Sequence, residues 1–254
     1  ALAKFANAAA ENHFRRALNL NPPVAARARL HGGLAEALYH QGYKDEAILT
    51  WRRGIDDFRA LEDLEELALL YSSALRHVAG YWPAEGLQMG IEALSAVEGL
   101  EEGVPLAHLL HQVARAYLKH YLIEQAMPLC KKAVEIGERM GDIELQADAL
   151  STLGVLENWI GENPENPFAT LHRAVKLAEA SGSLYLAFRA NSNLGVAYWR
   201  FQGRYREALK FYLRAVELAR QRGDVENKSY ALVNVFFAHT QLAEFSSARE
   251  IIEE

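Results

Sequence analysis

Cysteine, methionine and proline are scarce: the 254 residues hold one Cys, three Met and seven Pro. A lone Cys130 forms no internal disulfide, so cross-links do not hold this chain together, and the expectation is a reducing, cytoplasmic setting. No apolar run approaches the roughly 18 residues of a membrane span, and the amino end lacks the basic and apolar regions of a secretion signal. Positive charge is also short. The 27 Lys and Arg face 33 Asp and Glu, a net charge of −6, which argues against a surface that neutralises nucleic-acid phosphates. Catalytic signatures are missing too: there is no His-Glu-x-x-His, Gly-x-x-x-x-Gly-Lys-Ser/Thr, Gly-x-Gly-x-x-Gly or Gly-x-Ser-x-Gly. His108, His111 and His120 share a segment, but no neighbouring Asp, Glu or Cys completes a zinc set. The chain therefore reads as non-enzymatic, without metal or cofactor.

What is present is a repeat. A small residue, a large one four positions on and another small one three further recur as Ala47/Trp51/Gly54, Ala126/Cys130/Ala133 and Ala208/Tyr212/Ala215. Ala10/Phe14/Ala17, Gly86/Gly90/Ala93 and Pro167/Leu171/Ala174 fill the remaining copies, with Ala248/Ile252 the start of another. The leading residues of successive copies stand 37, 39, 40, 41, 41 and 40 apart. Such spacing within a copy lies along one helical stripe, and a stride near 40 implies stacked helix pairs. Upstream of each stripe lies a second one, seen in Leu34-Ala35 with Leu38, Val113-Ala114 with Tyr117 and Leu194-Gly195 with Tyr198. Small residues let antiparallel helices approach to about 8 Å while the large ones fill the flanks.

Glycines punctuate the pattern. Gly42, Gly161 and Gly203 fall where a first helix must reverse, and Gly141, Gly182 and Gly223 fall between pairs. Pro128 interrupts a predicted second helix and is expected to kink it or shift its start. Cys130, in the large slot of its stripe, is expected to be buried. Two stretches depart from the pattern: the Tyr81-Trp82-Pro83 connection, and an inserted loop at Glu162-Asn163-Pro164-Glu165-Asn166. The first residue is alanine and a helical pattern runs to Glu254, which reads as part of a longer protein.

Leu194-Gly195-x-x-Tyr198 followed by Ala208-x-x-x-Tyr212-x-x-Ala215 resembles the tetratricopeptide repeat family, as does Ala10-x-x-x-Phe14-x-x-Ala17 with its closing Pro22. The long stride resembles the sensor repeats of bacterial signal-transduction ATPases of the maltose-activator type, and kinesin light chains. The resemblance implies an all-α fold, a right-handed superhelical solenoid of antiparallel helix pairs. The expected division of the chain is residues 1–22 as the second helix of a partial repeat, full repeats at 24–60, 61–99, 104–140, 144–181 and 184–222, and a truncated repeat at 225–254.

The resemblance also implies that first helices line a concave groove for a protein or peptide. By spacing, the candidates are Arg76, His77, His111, Gln112, Arg115 and Lys119 in the first half. In the second half they are Asn158, Trp159, Arg189, Asn193, Trp199, Arg200, Asn234 and Phe237. Asp148, Ser151, Thr152 and Ser192 fall on the same stripe. An Arg- and His-rich lining suits an acidic partner, and Asn193 and Asn234 stand where family members bond a peptide backbone. The expected role is the interaction or sensor segment of a larger signalling or transcription-regulatory protein, without direct contact to nucleic acid or membrane. A small-molecule sensor built on Trp159, Trp199 and Arg200 and an accessory domain of an enzyme are the alternatives.

Overall fold

The computed structural model describes the backbone of residues 2–161 and 166–253 and the side chains of 6–161 and 167–252. Among the described residues the chain is all helix and turn, with no strand. The helices are α1 (Leu2–Leu18), α2 (Val24–Gln41), α3 (Lys44–Leu61), α4 (Leu64–Tyr81), α5 (Pro83–Ala96), α6 (Val104–Lys119) and α7 (Ile123–Met140). They continue as α8 (Ile143–Ile160), α9 (Asn166–Ala180), α10 (Leu184–Gln202), α11 (Tyr205–Arg222), α12 (Val225–Gln241) and α13 (Phe245–Glu253). None is long and apolar enough to cross a membrane. The inserted loop predicted after α8 lies outside the described residues, apart from Asn166, which opens α9.

Contacts gather the chain into two compact units, Ala1–Lys132 and Ala133–Glu254. In the first unit, α2 and α3 run antiparallel: Arg27 at the start of one pairs with Asp57 near the end of the other, and Tyr39 meets Trp51. Leu70 of α4 wedges against both. A Cβ added at Gly32 or at Gly54 would stand 2.9 Å from a Leu70 methyl, so the glycines admit α4 to this pair. Trp51, Phe58, Tyr71, Leu38 and Leu75 form the buried heart of the unit. Trp82 alone separates α4 from α5, and Gly86 lets α5 approach so closely that a Cβ there would lie 2.4 Å from the Ala79 Cα.

The second unit repeats this logic. Gly154 of α8 faces Leu171 of α9, and Gly195 of α10 faces Tyr212 of α11, where added Cβ atoms would come within 2.5 and 2.6 Å. The stripe residues Ala174, Ala208, Ala215 and Tyr212 are buried. In both units the small residues face a neighbouring helix rather than water, which is what the recurring pattern requires.

Turn chemistry follows physical need. Gly42, Gly161, Gly203 and Gly223 cap helices with positive φ, where a side chain is strained. Asp63, Asp142, Ser183 and Asp224 accept a hydrogen bond from the third amide of the helix they open. Pro128 lies inside α7, where the sequence placed it: the helix starts at Ile123 and continues past the exposed proline. Cys130 is fully buried.

Candidate functional site

On the first unit, the face formed by α2, α4 and α6 centres on His77. Its ring stacks on Trp51 at 5.5 Å and 14°, with Tyr39 at 4.4 Å and His40 at 5.4 Å. The Trp51 indole N–H is buried without a partner among the described residues. Burial pushes the His77 pKa down to about 3, helped by the nearby His40, Arg76 and Arg115, so the imidazole is neutral at physiological pH. Lys44 lies over Tyr81 at 3.5 Å and near Tyr39 at 5.4 Å, a cation held by two rings at the rim.

Arg76 and Arg115 stand 39 residues apart, one repeat, and both act on His77. Other arginines of the unit are neutralised, Arg27 by Asp57, Arg29 by Glu66 and Arg52 by Glu85. Arg76 has no such partner among the described residues, and Arg115 donates at 2.9 Å to the neutral amide oxygen of Gln112. Two predicted lining residues fall elsewhere. His111 and Gln112 are 0% and 1% exposed, so they pack between helices instead of offering a contact. Lys119 is exposed at the end of α6.

In the second unit much of the predicted lining is taken up between helices. Arg189 of α10 reaches back to α8, donating to the Asp148 carbonyl at 2.9 Å, to the Asp148 carboxylate and to the Thr152 hydroxyl. Asn193 donates to the Ser151 carbonyl at 3.2 Å and hydroxyl at 2.9 Å. Asp148, Ser151 and Thr152 are buried. The spacing that put these residues on one stripe is right about the stripe, but the next first helix covers it. Asn158 bonds its own helix at the Gly154 carbonyl, 2.8 Å away.

Other second-unit residues remain available. Arg200 lies 4.6 Å over the Trp159 ring, and Phe201 meets the same indole edge-on at 5.9 Å. Phe237 is 48% exposed beside Phe236. Asn234 and Ser192 stand 41 residues after Asn193 and Ser151. Where the earlier pair bonds, the Asn234 amide nitrogen and the Ser192 hydroxyl are buried and unpartnered among the described residues, as is the Trp199 indole N–H. Their orphaned state is invisible in the sequence. Among the described residues no three His, Cys, Asp or Glu side chains gather with the spacing of a metal site.

Antiparallel helix pairs repeated at a stride near 40, with small residues at the crossings, define a helical-repeat fold. The particular fold is the tetratricopeptide repeat. Residues 190–226 match the tetratricopeptide repeat family model, and solved structures of that type superpose. A Rap protein complexed with competence and sporulation factor shares 15% identity at a TM-score of 0.66, covering 98% of this chain and 75% of that one. A thermophilic tetratricopeptide repeat protein from Thermus thermophilus gives 18%, 0.58, 82% and 98%. The signal-transduction ATPase from Pyrococcus horikoshii with a tetratricopeptide repeat sensor gives 16%, 0.57, 84% and 34%. At these identities the likeness is one of fold. No curated protein matches by sequence.

Proposed function

We propose that this chain is a non-catalytic interaction segment, with repeats divided as predicted above, whose first-helix faces hold an acidic protein or peptide. The observation that carries the reading is the pair Arg76 and Arg115, left without carboxylates on a chain that has more acid than base. A guanidinium with no anion beside it is open to one from a partner, since its fork matches carboxylate geometry. The aromatic floor of Tyr39 and His77 beside it supplies contact area at low entropic cost. In the second unit the exposed guanidinium of Arg200 is a donor of the same kind, Asn193 and Arg189 being already engaged, and Asn234 and Trp199 add neutral, buried N–H groups.

The likeness to a Rap protein bound to its factor and to a signal-transduction ATPase sensor supports a place in a cytoplasmic signalling or transcription-regulatory protein. The test is fluorescence anisotropy with labelled Asp- and Glu-rich peptides. Reversing Arg76 and Arg115 to Glu is expected to weaken binding at least tenfold, about 1.4 kcal/mol. The Arg200→Glu variant reports separately on the second unit. Equal affinity of the Arg76/Arg115 double variant and the parent removes the acidic-partner reading.

A further inference from the structure

The surroundings of His77 fix more than the sign of a partner. Every side chain that acts electrostatically on this imidazole is basic: His40, Arg76 and Arg115. On a chain with 27 Lys and Arg against 33 Asp and Glu, a place without a carboxylate has to be built by the fold. Arg76 and Arg115 lie one repeat apart on α4 and α6, first helices that pack together. Arg76 is exposed and Arg115 half-buried. Lys44, over the Tyr81 ring, keeps the rim at the same sign. Glu36 of α2 accepts from Ser73, four residues before His77, at 2.7 Å, and among the described residues it pairs with neither arginine.

Counting donors narrows the anion. Arg115 uses one N–H on the Gln112 amide oxygen, at 2.9 Å, and keeps the rest of its fork, while Arg76 keeps its whole fork. The partly exposed His77 ring has no hydrogen-bond partner among the described residues. Held neutral, it presents one N–H donor. Two full positive charges and one neutral N–H are therefore gathered at one imidazole. A carboxylate brings a single charge and is matched by a single guanidinium fork. A phosphate monoester brings a charge of about −1.5 to −2 and three acceptor oxygens, enough for both guanidiniums and the N–H together.

Building on the acidic-partner reading of this face, we propose that the partner's acid is a phosphate monoester: Arg76 and Arg115 take the phosphate of a phosphoserine or phosphothreonine in the bound peptide, and His77 donates to its remaining oxygen. A glutamate in the same place fills one fork and leaves the other guanidinium without an anion. The face therefore ranks phosphoserine above aspartate and glutamate, and an acidic partner that is not phosphorylated binds it more weakly.

Three labelled peptides of one Asp- and Glu-rich sequence, differing only in a central serine, glutamate or phosphoserine, test this by fluorescence anisotropy with the whole chain. The phosphoserine peptide is expected to bind with a Kd at least about tenfold below that of the glutamate peptide. Arg76→Gln and Arg115→Gln are each expected to remove most of that preference while the glutamate peptide still binds. His77→Phe, which keeps a ring and removes the N–H, is expected to reduce the preference in part. Circular dichroism checks that each variant folds, and the exposed Arg76 gives a usable variant even where His77→Phe does not fold. Inorganic phosphate, added as competitor, is expected to displace the phosphopeptide only far above the phosphopeptide's Kd. Equal binding of the glutamate and phosphoserine peptides overturns the phosphate assignment and leaves the acidic-partner reading standing, whereas no binding of any of the three overturns both. A phosphoserine preference that survives in the folded Arg76→Gln/Arg115→Gln double variant, or displacement by inorganic phosphate at the phosphopeptide's own Kd, also overturns the proposal.

Discussion

A single imidazole shows how much a residue's chemistry depends on what surrounds it. In sequence, His77 is one of nine histidines. In the fold it is packed against Trp51 and Tyr39 with His40, Arg76 and Arg115 close by, and burial is the largest reason its pKa falls to about 3. An unfolded chain restores a value near 6.5, so between about 6.5 and 3 the unfolded state takes up a proton that the native state refuses. This histidine therefore costs nothing above the unfolded pKa. It destabilises progressively as pH falls toward the folded one, and its effect is constant below that. His77→Phe keeps an aromatic ring in the stack and removes the titration. Melting temperatures recorded from pH 7 to pH 4 are expected to fall less steeply in His77→Phe than in the parent. Parallel curves would mean that the imidazole is solvated or already paired, contrary to its stacked position.

At the scale of helices, crossings are set by what is missing from a side chain. A methyl group at Gly195 would sit 2.6 Å from the ring of Tyr212, itself 2% exposed and unable to swing away, whereas one at Gly80 in α4 meets nothing within 4 Å. Gly195→Ala is expected to destabilise by about 1–3 kcal/mol through overpacking. Gly80→Ala, in an open helical position, is expected to stabilise by about 0.5–1 kcal/mol. Urea denaturation of the two variants distinguishes them, and equal shifts would count against the α10–α11 crossing. These crossings are readable from the sequence because small residues recur on a fixed stride, and Gly42, Gly161 and Gly203 mark the reversals. Other turns leave no such trace: Glu62, Tyr121 and Ala243 take positive φ without being glycine, and only the connection around them imposes it. The site is readable in part, for a related reason. Periodicity places Asp148, Ser151, Thr152, Arg189 and Asn193 on one stripe, but whether a stripe faces solvent or the next helix depends on where that helix lies, which a local pattern does not encode. That Arg76 and Arg115 lack a carboxylate within reach, unlike Arg27, Arg29 and Arg52, is a fact about three dimensions alone.

For the molecule as a whole, the sign of the total charge and the sign of the proposed binding face disagree, and the disagreement has a kinetic signature. A net charge of −6 repels an acidic peptide at long range, while Arg76 and Arg115 attract it only at contact. The Debye length is about 30 Å at 0.01 M salt and about 8 Å at 0.15 M. Added salt therefore screens the distant repulsion first and the close pairing less. Association is then expected to stay level or quicken as salt rises over this range, while dissociation quickens as the short-range pairs loosen, so any loss of affinity appears in the off-rate. Stopped-flow mixing of a labelled acidic peptide at several salt concentrations separates the two. An association rate that drops steeply with salt is the mark of a surface that steers its ligand by an attractive field. That result would require a far larger positive region than two uncompensated arginines on an acidic chain can supply, and the partner would then have to dock somewhere other than around His77.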